Sequence, residues 1–194
     1  PSYATRPTSY RFTPDDNDFT WTGVAGDGNW ANGQNWDSGT TPTSSDNCII
    51  PAGVPCDINV GGSCGDLTFN ASSAPLFNAG TVSVAGDLTD NSGQTLIGGK
   101  LDVTGSATFT RGLNIAPSGE LEVDGTLTLG SGYTTNNDGT IDANGAFNAS
   151  GVTLAQGSSG NIQLGSTVTS LGTLDGSEGT VTYDGGTAMF TDTY

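Results

Sequence analysis

The sequence predicts an all-β protein: a parallel β-solenoid (β-helix) of about seven coils at roughly 20 residues per coil, with a Trp-rich N-terminal cap and an extended N-terminal arm. Three observations predict it. Gly80, Gly99, Gly119, Gly139, Gly160 and Gly179 recur at spacings of 19, 20, 20, 21 and 19 residues, and each opens the same phrase. Within the phrases, as in GKLDVTGSATF and GELEVDGTLTL, apolar and polar residues alternate, which is the period of a strand with one face buried. Turns follow so closely that no single unit buries its apolar face, whereas coils stacked about 4.8 Å apart share one continuous core. A β-sandwich of short strands is the competing fold, but sandwiches seldom hold one register through six repeats.

Residues 1–20 read as an extended arm or linker, because Pro7 and Pro14 forbid a helix through them and they match neither cap nor repeat. As a donor arm the segment would add a strand to a neighbouring subunit, with Tyr3, Tyr10 and Phe12 as apolar contacts and Arg6 or Arg11 meeting an acidic surface. Residues 21–50 form the cap and hold all three tryptophans, Trp21, Trp30 and Trp36. Large aromatics at one end of a solenoid cover its first coil, each burying on the order of 200 Å². The alternative is a glycan-stacking platform, which requires the indoles to face solvent. Cys48, Cys56 and Cys64 fall in one window and nowhere else. Their odd number allows one intrachain bridge with a thiol left over, or a bond to another chain, and their spacing matches no common zinc pattern.

Residues 51–194 carry the solenoid. The inward set on one side is Val82, Val84, Leu101, Val103, Leu121, Val123, Ile141, Ala143, Ile162, Leu164, Val181 and Tyr183. Leu88, Ala107, Phe109, Leu127, Leu129, Phe147 and Val168 fill the next side. A second glycine closes each phrase at Gly86, Gly105, Gly125, Gly145 and Gly185, with Ser166 in its place in the 160s. Glycines at these corners are expected to supply positive φ. Leu67, Phe69, Ile58 and Val60 extend the alternation backward, so the solenoid is expected to begin near Ile49. The run TVTYDGGTAMFTDTY stops inside a repeat without a polar cap, so further chain or another subunit is expected to cover that edge. A chain that opens on Pro1 and whose sole methionine is Met189 reads as a processed product or part of something longer.

Composition narrows the function classes. With 20 acidic residues against 4 basic ones and a net charge of −16, the chain cannot neutralise a run of phosphates, so nucleic-acid and anionic-membrane binding are excluded. The absence of His removes the commonest general base and metal ligand. No apolar stretch is long enough for a membrane span, so no membrane insertion is expected. Scarce lysine with abundant Thr, Asn and Gly suits a secreted protein.

The run WTGVAGDGNWANGQNWDSGTTPTSSDNCIIPAG, with its GNW and QNW steps, resembles the opening of large secreted surface proteins of the Bacteroidota and of autotransporter or haemagglutinin-like β-solenoid adhesins. The later SCGDLTF and GTVTYDGG phrases are similar to ones those proteins repeat. The resemblance covers residues 21 to about 185 and implies a secreted right-handed β-solenoid at the cell surface, adhesive or structural, with no catalytic residues. Such proteins usually run much longer, and the cysteine cluster departs from their pattern.

Two ladders are candidates for chemistry. Asp102, Glu122 and Asp142 occupy the same outward position in successive coils, stacking three carboxylates about 5 Å apart. They read as a solvated acidic stripe, with weak Ca²⁺ binding as the alternative, since no basic partner or calcium-loop spacing accompanies them. Thr89, Thr108, Thr128, Asn148 and Thr169 form a second, partial ladder of good exposed strand residues. The expected protein is therefore no enzyme and needs no cofactor. It is an extracellular structural subunit that self-associates into a filament by head-to-tail stacking, or a surface adhesin. A carbohydrate-binding or carbohydrate-degrading β-helix, with surface glycans as partners, is the alternative.

Overall fold

In the computed structural model, which describes residues 18–71, 75–175 and 178–185, the chain winds through three parallel sheets, one short strand per sheet per coil. Among the described residues, wall one has eight strands, from Asp18–Thr20 and Asn47–Ile50 to Val168–Ser170. Wall two has seven, from Asp57–Ile58 to Thr173–Asp175. Wall three has seven, from Gly62–Cys64 to Thr180–Tyr183. Each strand inside a sheet pairs in parallel with its equivalents one coil before and one coil after. This is the β-solenoid of about seven coils that the period predicts.

Alternation decides which side chains face inward. Leu101, Leu121, Ile141 and Ile162 stack in register on wall three and are fully buried, as are Val103, Val123, Ala143 and Leu164. Leu67, Leu88, Ala107, Leu127 and Phe147 make the equivalent column on wall one. Wall two contributes Ile58, Phe77, Ile97 and Ile115. Val181 and Tyr183 depart from the predicted inward set: Val181 is 36% exposed and Tyr183 only partly buried, because theirs is the last described strand of its sheet.

Two expectations are corrected in detail, and a third lies outside the described residues. The solenoid begins before Ile49, since Asp18–Thr20 already pairs in parallel with Asn47–Ile50. The donor-arm residues Tyr3, Arg6, Tyr10, Arg11 and Phe12 lie outside the described residues. On wall one the register shifts after Phe147, so Asn148 lies opposite Ser170 rather than Thr169, while Thr68 extends the threonine column backward to Thr89.

The glycines serve mostly a different purpose from the one expected. Of the six that open the phrases, only Gly80 and Gly179 have positive φ. The second glycines are fixed by coil-to-coil crowding instead. A Cβ on Gly125 would lie 2.5 Å from the Gly105 carbonyl oxygen, and one on Gly145 would lie 2.0 Å from that of Gly125. The pairs Ala143 with Leu164 and Phe147 with Val168 put Ser166 opposite Gly145, as expected, and a Cβ on Gly185 would lie 2.3 Å from the Gly165 carbonyl oxygen.

The interior also holds polar residues that alternation missed. Asp90 sits in register between Phe69 and Phe109, where its carboxylate accepts hydrogen bonds from the Ser92 amide (2.8 Å) and the Thr95 hydroxyl. The Asn137 amide donates to Gln156 Oε1 (2.7 Å) one coil on, and Gln156 Nε2 donates to the Thr180 carbonyl (3.3 Å).

Gly125 is where this crowding is most simply probed. A methyl there forces two backbones apart, so Gly125→Ala is expected to lower stability by about 1–3 kcal/mol, the usual cost of overpacking, read as a fall in the urea midpoint by circular dichroism.

Candidate functional site

The N-terminal end is built from the loop that carries the three tryptophans. Asn35, at the end of the 3-10 turn Gly33–Asn35, is fully buried and organises the loop through both ends of its amide. Its Nδ2 donates to Asp27 Oδ1 (2.7 Å) and to the Asn29 carbonyl (3.0 Å), and its Oδ1 accepts from the Ala25 amide (2.9 Å). Asn32 and the Asn29 amide also bond Asp27, and these hydrogen bonds to its charged form hold the carboxyl below its ordinary value. Sequence reasoning noticed QNW as a motif but not that its Asn is the buried centre of the loop.

The loop places the indoles over the first coil. Trp30 and Trp36 meet edge to face with ring centroids 4.7 Å apart, and Trp21 packs against both. Their N–H groups all find carbonyls: Trp21 donates to Pro55 (3.1 Å), Trp30 to Ser63 (3.3 Å) and Trp36 to Trp30 (2.9 Å). All three rings are at most 2% exposed. The glycan-platform reading of Trp21, Trp30 and Trp36 is therefore corrected, since a stacking surface needs faces open to solvent and these faces are spent on one another and on the core. The cap also occupies sheet edges: Asn29 bridges to Val60, the Trp30 amide donates to the Val60 carbonyl (3.0 Å), and the Asn59 amide donates to the Gly28 carbonyl (2.8 Å).

Cys48, Cys56 and Cys64 are free thiols, all buried. Cys48 on wall one and Cys64 on wall three are both buried in the core at the same end of the solenoid. Burial, the Cys64 thiol and the nearby Asp46 push the Cys48 thiol well above its ordinary value. Cys56 stands apart, pushed up to about 12 by burial and by Asp57.

On wall three the outward row runs Ser63, Ser83, Asp102, Glu122, Asp142, Gln163 and Thr182, so the predicted carboxylates do stack in register. Lys100 supplies the cation beside them, bonding Glu120 (2.8 Å) and Glu122, and those contacts raise its own pKa. Asp102 and Asp142 are raised by partial burial and then by the Glu122 charge. Among the described residues no group of three or more His, Cys, Asp or Glu is arranged to hold a metal ion. Asp102, Glu122 and Asp142 thus form a column along the wall rather than a converging shell.

Wall two carries a groove of about 400 Å³ lined by Leu96, Asn114, Ala116, Pro117, Asn136 and Asp138. Its outward row runs Leu76, Leu96, Asn114, Asn136 and Ala155, and Asn136 Nδ2 donates to Asn114 Oδ1 (2.6 Å). Nothing in the sequence reading singled out this groove, because alternation marks a position as outward without saying which neighbours in the next coil it meets. Among the described residues no helix is long and apolar enough to cross a membrane.

A model of the haemagglutinin repeat matches residues 65–108 and 96–178, more than half of the chain. The chain belongs to the haemagglutinin-repeat family. The haemagglutinin repeats start downstream of the tryptophans, so the match concerns the coils and not the cap. No curated protein and no solved structure matches the chain.

The acidic column of the haemagglutinin repeats gives a signed pH dependence. With folded-state pKa values raised above 3.8, Asp102 and Asp142 contribute stability that is fully present below 3.8 and lost as pH rises through the raised values. Asp102→Asn and Asp142→Asn are therefore expected to raise the urea midpoint at neutral pH, with the gain shrinking on acidification and vanishing below 3.8. Midpoints measured across the acid range check this.

Proposed function

We propose that this haemagglutinin-repeat chain is an extracellular structural protein, a capped segment of a cell-surface adhesin or filament that acts through its walls and by coil-to-coil association rather than by catalysis. One observation carries the reading: a single core runs through all the coils, closed by the tryptophan cap at one end and bounded at the other by the strands Val168–Ser170, Thr173–Asp175 and Thr180–Tyr183. A sheet edge of this kind pairs with another strand of suitable register. The cap changes how self-association proceeds. Head-to-tail stacking needs both ends of the solenoid, and the cap already bonds the edge at Val60 and Asn59.

Negative-stain electron microscopy of the chain with and without residues 1–17 tests this. End-to-end pairs that survive the deletion support association at the far edge with the cap as a stop. Long fibres that vanish on deletion support a filament joined by the arm. Dispersed single particles in both samples overturn self-association.

The wall-two groove favours a second reading, a neutral-glycan contact. Its paired amides and the Asp138 carboxylate offer donors and acceptors to hydroxyl groups beside the apolar Leu96 and Pro117. Asn114→Ala with Asn136→Ala is expected to abolish any retention on neutral oligosaccharide arrays while leaving the urea midpoint near that of the parent. Retention unchanged by the substitutions rules this groove out.

A further inference from the structure

We infer that Cys48 and Cys64 close an internal disulfide that makes one coil a covalent ring and so fixes the seat of the tryptophan cap, leaving Cys56 as the unpaired thiol. The pairing follows from position. Both side chains are at most 1% exposed and point into the same end of the core, one from wall one and one from wall three. The backbones around them are laced together, with the Gly65 amide donating to the Asp46 carbonyl (2.7 Å) and the Cys48 amide to the Asp66 carbonyl (2.8 Å). The Cys64 thiol bears on the Cys48 thiol, whereas Cys56 stands beside Asp57.

The ring would enclose residues 48–64, and every contact that holds the indole N–H groups of Trp21 and Trp30 falls inside it. Pro55 accepts from Trp21, Ser63 from Trp30, and Val60 from the Trp30 amide. Gly62 lies so close beneath the Trp30 ring that a Cβ there would be 2.1 Å from it. Tying residue 48 to residue 64 therefore limits how far the unfolded chain can spread the groups that receive the cap.

The reaction is thiol–disulfide exchange with a low-molecular-weight or protein disulfide as oxidant. One cysteine thiolate attacks the oxidant, releasing one thiol and leaving a mixed disulfide, and the second cysteine then attacks that bond and releases the other. Two protein thiols become one disulfide, and the oxidant gains the two electrons and two protons as two thiols. Burial disfavours the thiolates once the coil has closed, so the exchange belongs to folding and the folded, reduced chain reacts slowly. This goes beyond the adhesin reading and does not depend on it.

The test refolds the full chain in a buffer of reduced and oxidised glutathione, blocks remaining thiols with iodoacetamide in denaturant, and maps the peptides by mass spectrometry. The expected product is two hydrogens lighter, with the Cys48 and Cys64 peptides joined and Cys56 alkylated. It should unfold at higher urea than the same chain refolded with reductant alone, a comparison that needs no variant. Cys56→Ala should keep the bridge and the shift, and Cys64→Ala should lose both. Three alkylated thiols, a bridge to Cys56, dimers joined between chains, or equal urea midpoints for oxidised and reduced chains would overturn the inference.

Discussion

Hydrogen bonding between each coil and the next, strand upon equivalent strand, is the constraint on which the rest of this molecule depends. The amides of Glu120, Thr140, Asn161 and Thr180 donate to the carbonyls of Gly99, Gly119, Gly139 and Gly160 at 2.8–2.9 Å. Every position in a coil therefore sits about 4.8 Å from its own equivalents, and each must tolerate its own kind as a neighbour. Isoleucine and leucine gain from this, stacking into continuous columns. Glycine becomes obligatory where two corners nearly touch, as at Gly105 and Gly125. Carboxylates suffer from it: partial burial and then the Glu122 charge raise both Asp102 and Asp142, while the nearby Lys100 opposes the shift.

A ladder of this kind is self-consistent everywhere except at its ends, where one side of each strand lacks a partner. The N-terminal solution uses polar and apolar contacts together. Three indoles cover the open core, and each turns its one N–H toward a carbonyl, so no donor is buried unpaired. Asn35 makes this arrangement possible by tying three separate parts of the loop to one amide group. The far end is finished differently: Val181 remains more than a third exposed on a strand paired on one side only among the described residues. Among the described residues the two ends therefore differ, with the tryptophan cap over one and a strand paired on one side only at the other.

How much the sequence reveals follows from the same constraint. Features repeated in every coil announce themselves by periodicity, which is why the walls, the inward columns and the acidic row were all legible. Features that occur once were not. Asp90, Asn137 and Gln156 occupy inward places that alternation assigns to apolar residues; Thr95 donates to Asp90 and Asn137 donates to Gln156, while Asn137 Oδ1 stays buried without a hydrogen bond. Glycine was legible in position and misread in cause, since a recurring Gly signals either a positive φ or a close approach and the sequence does not distinguish them. The one-residue shift that replaces Thr169 with Ser170 opposite Asn148 was hidden likewise, because it arises from an irregularity between two coils rather than from a pattern within one.

The charge of the chain bears on which contacts between copies are open to it. Rods with a net charge of −16 repel one another along their sides at low ionic strength, and that repulsion fades within a Debye length of about 10 Å at 0.1 M salt. Pairing at a sheet edge works differently, since it depends on hydrogen bonds at contact distance and places only a few charges near the junction. Side-by-side bundling is therefore disfavoured by the same acidic walls that leave end contacts available. A surface so charged also keeps the outer rows hydrated, while uncharged groups stand in a row on wall one, from Thr68 through Thr89, Thr108 and Thr128 to Asn148, and on wall two, from Leu76 and Leu96 to Asn114 and Asn136. On wall two, where Leu76 and Leu96 give way to Asn114 and Asn136, the row changes residue type beside the groove, whereas a column of identical residues presents the same face at every coil.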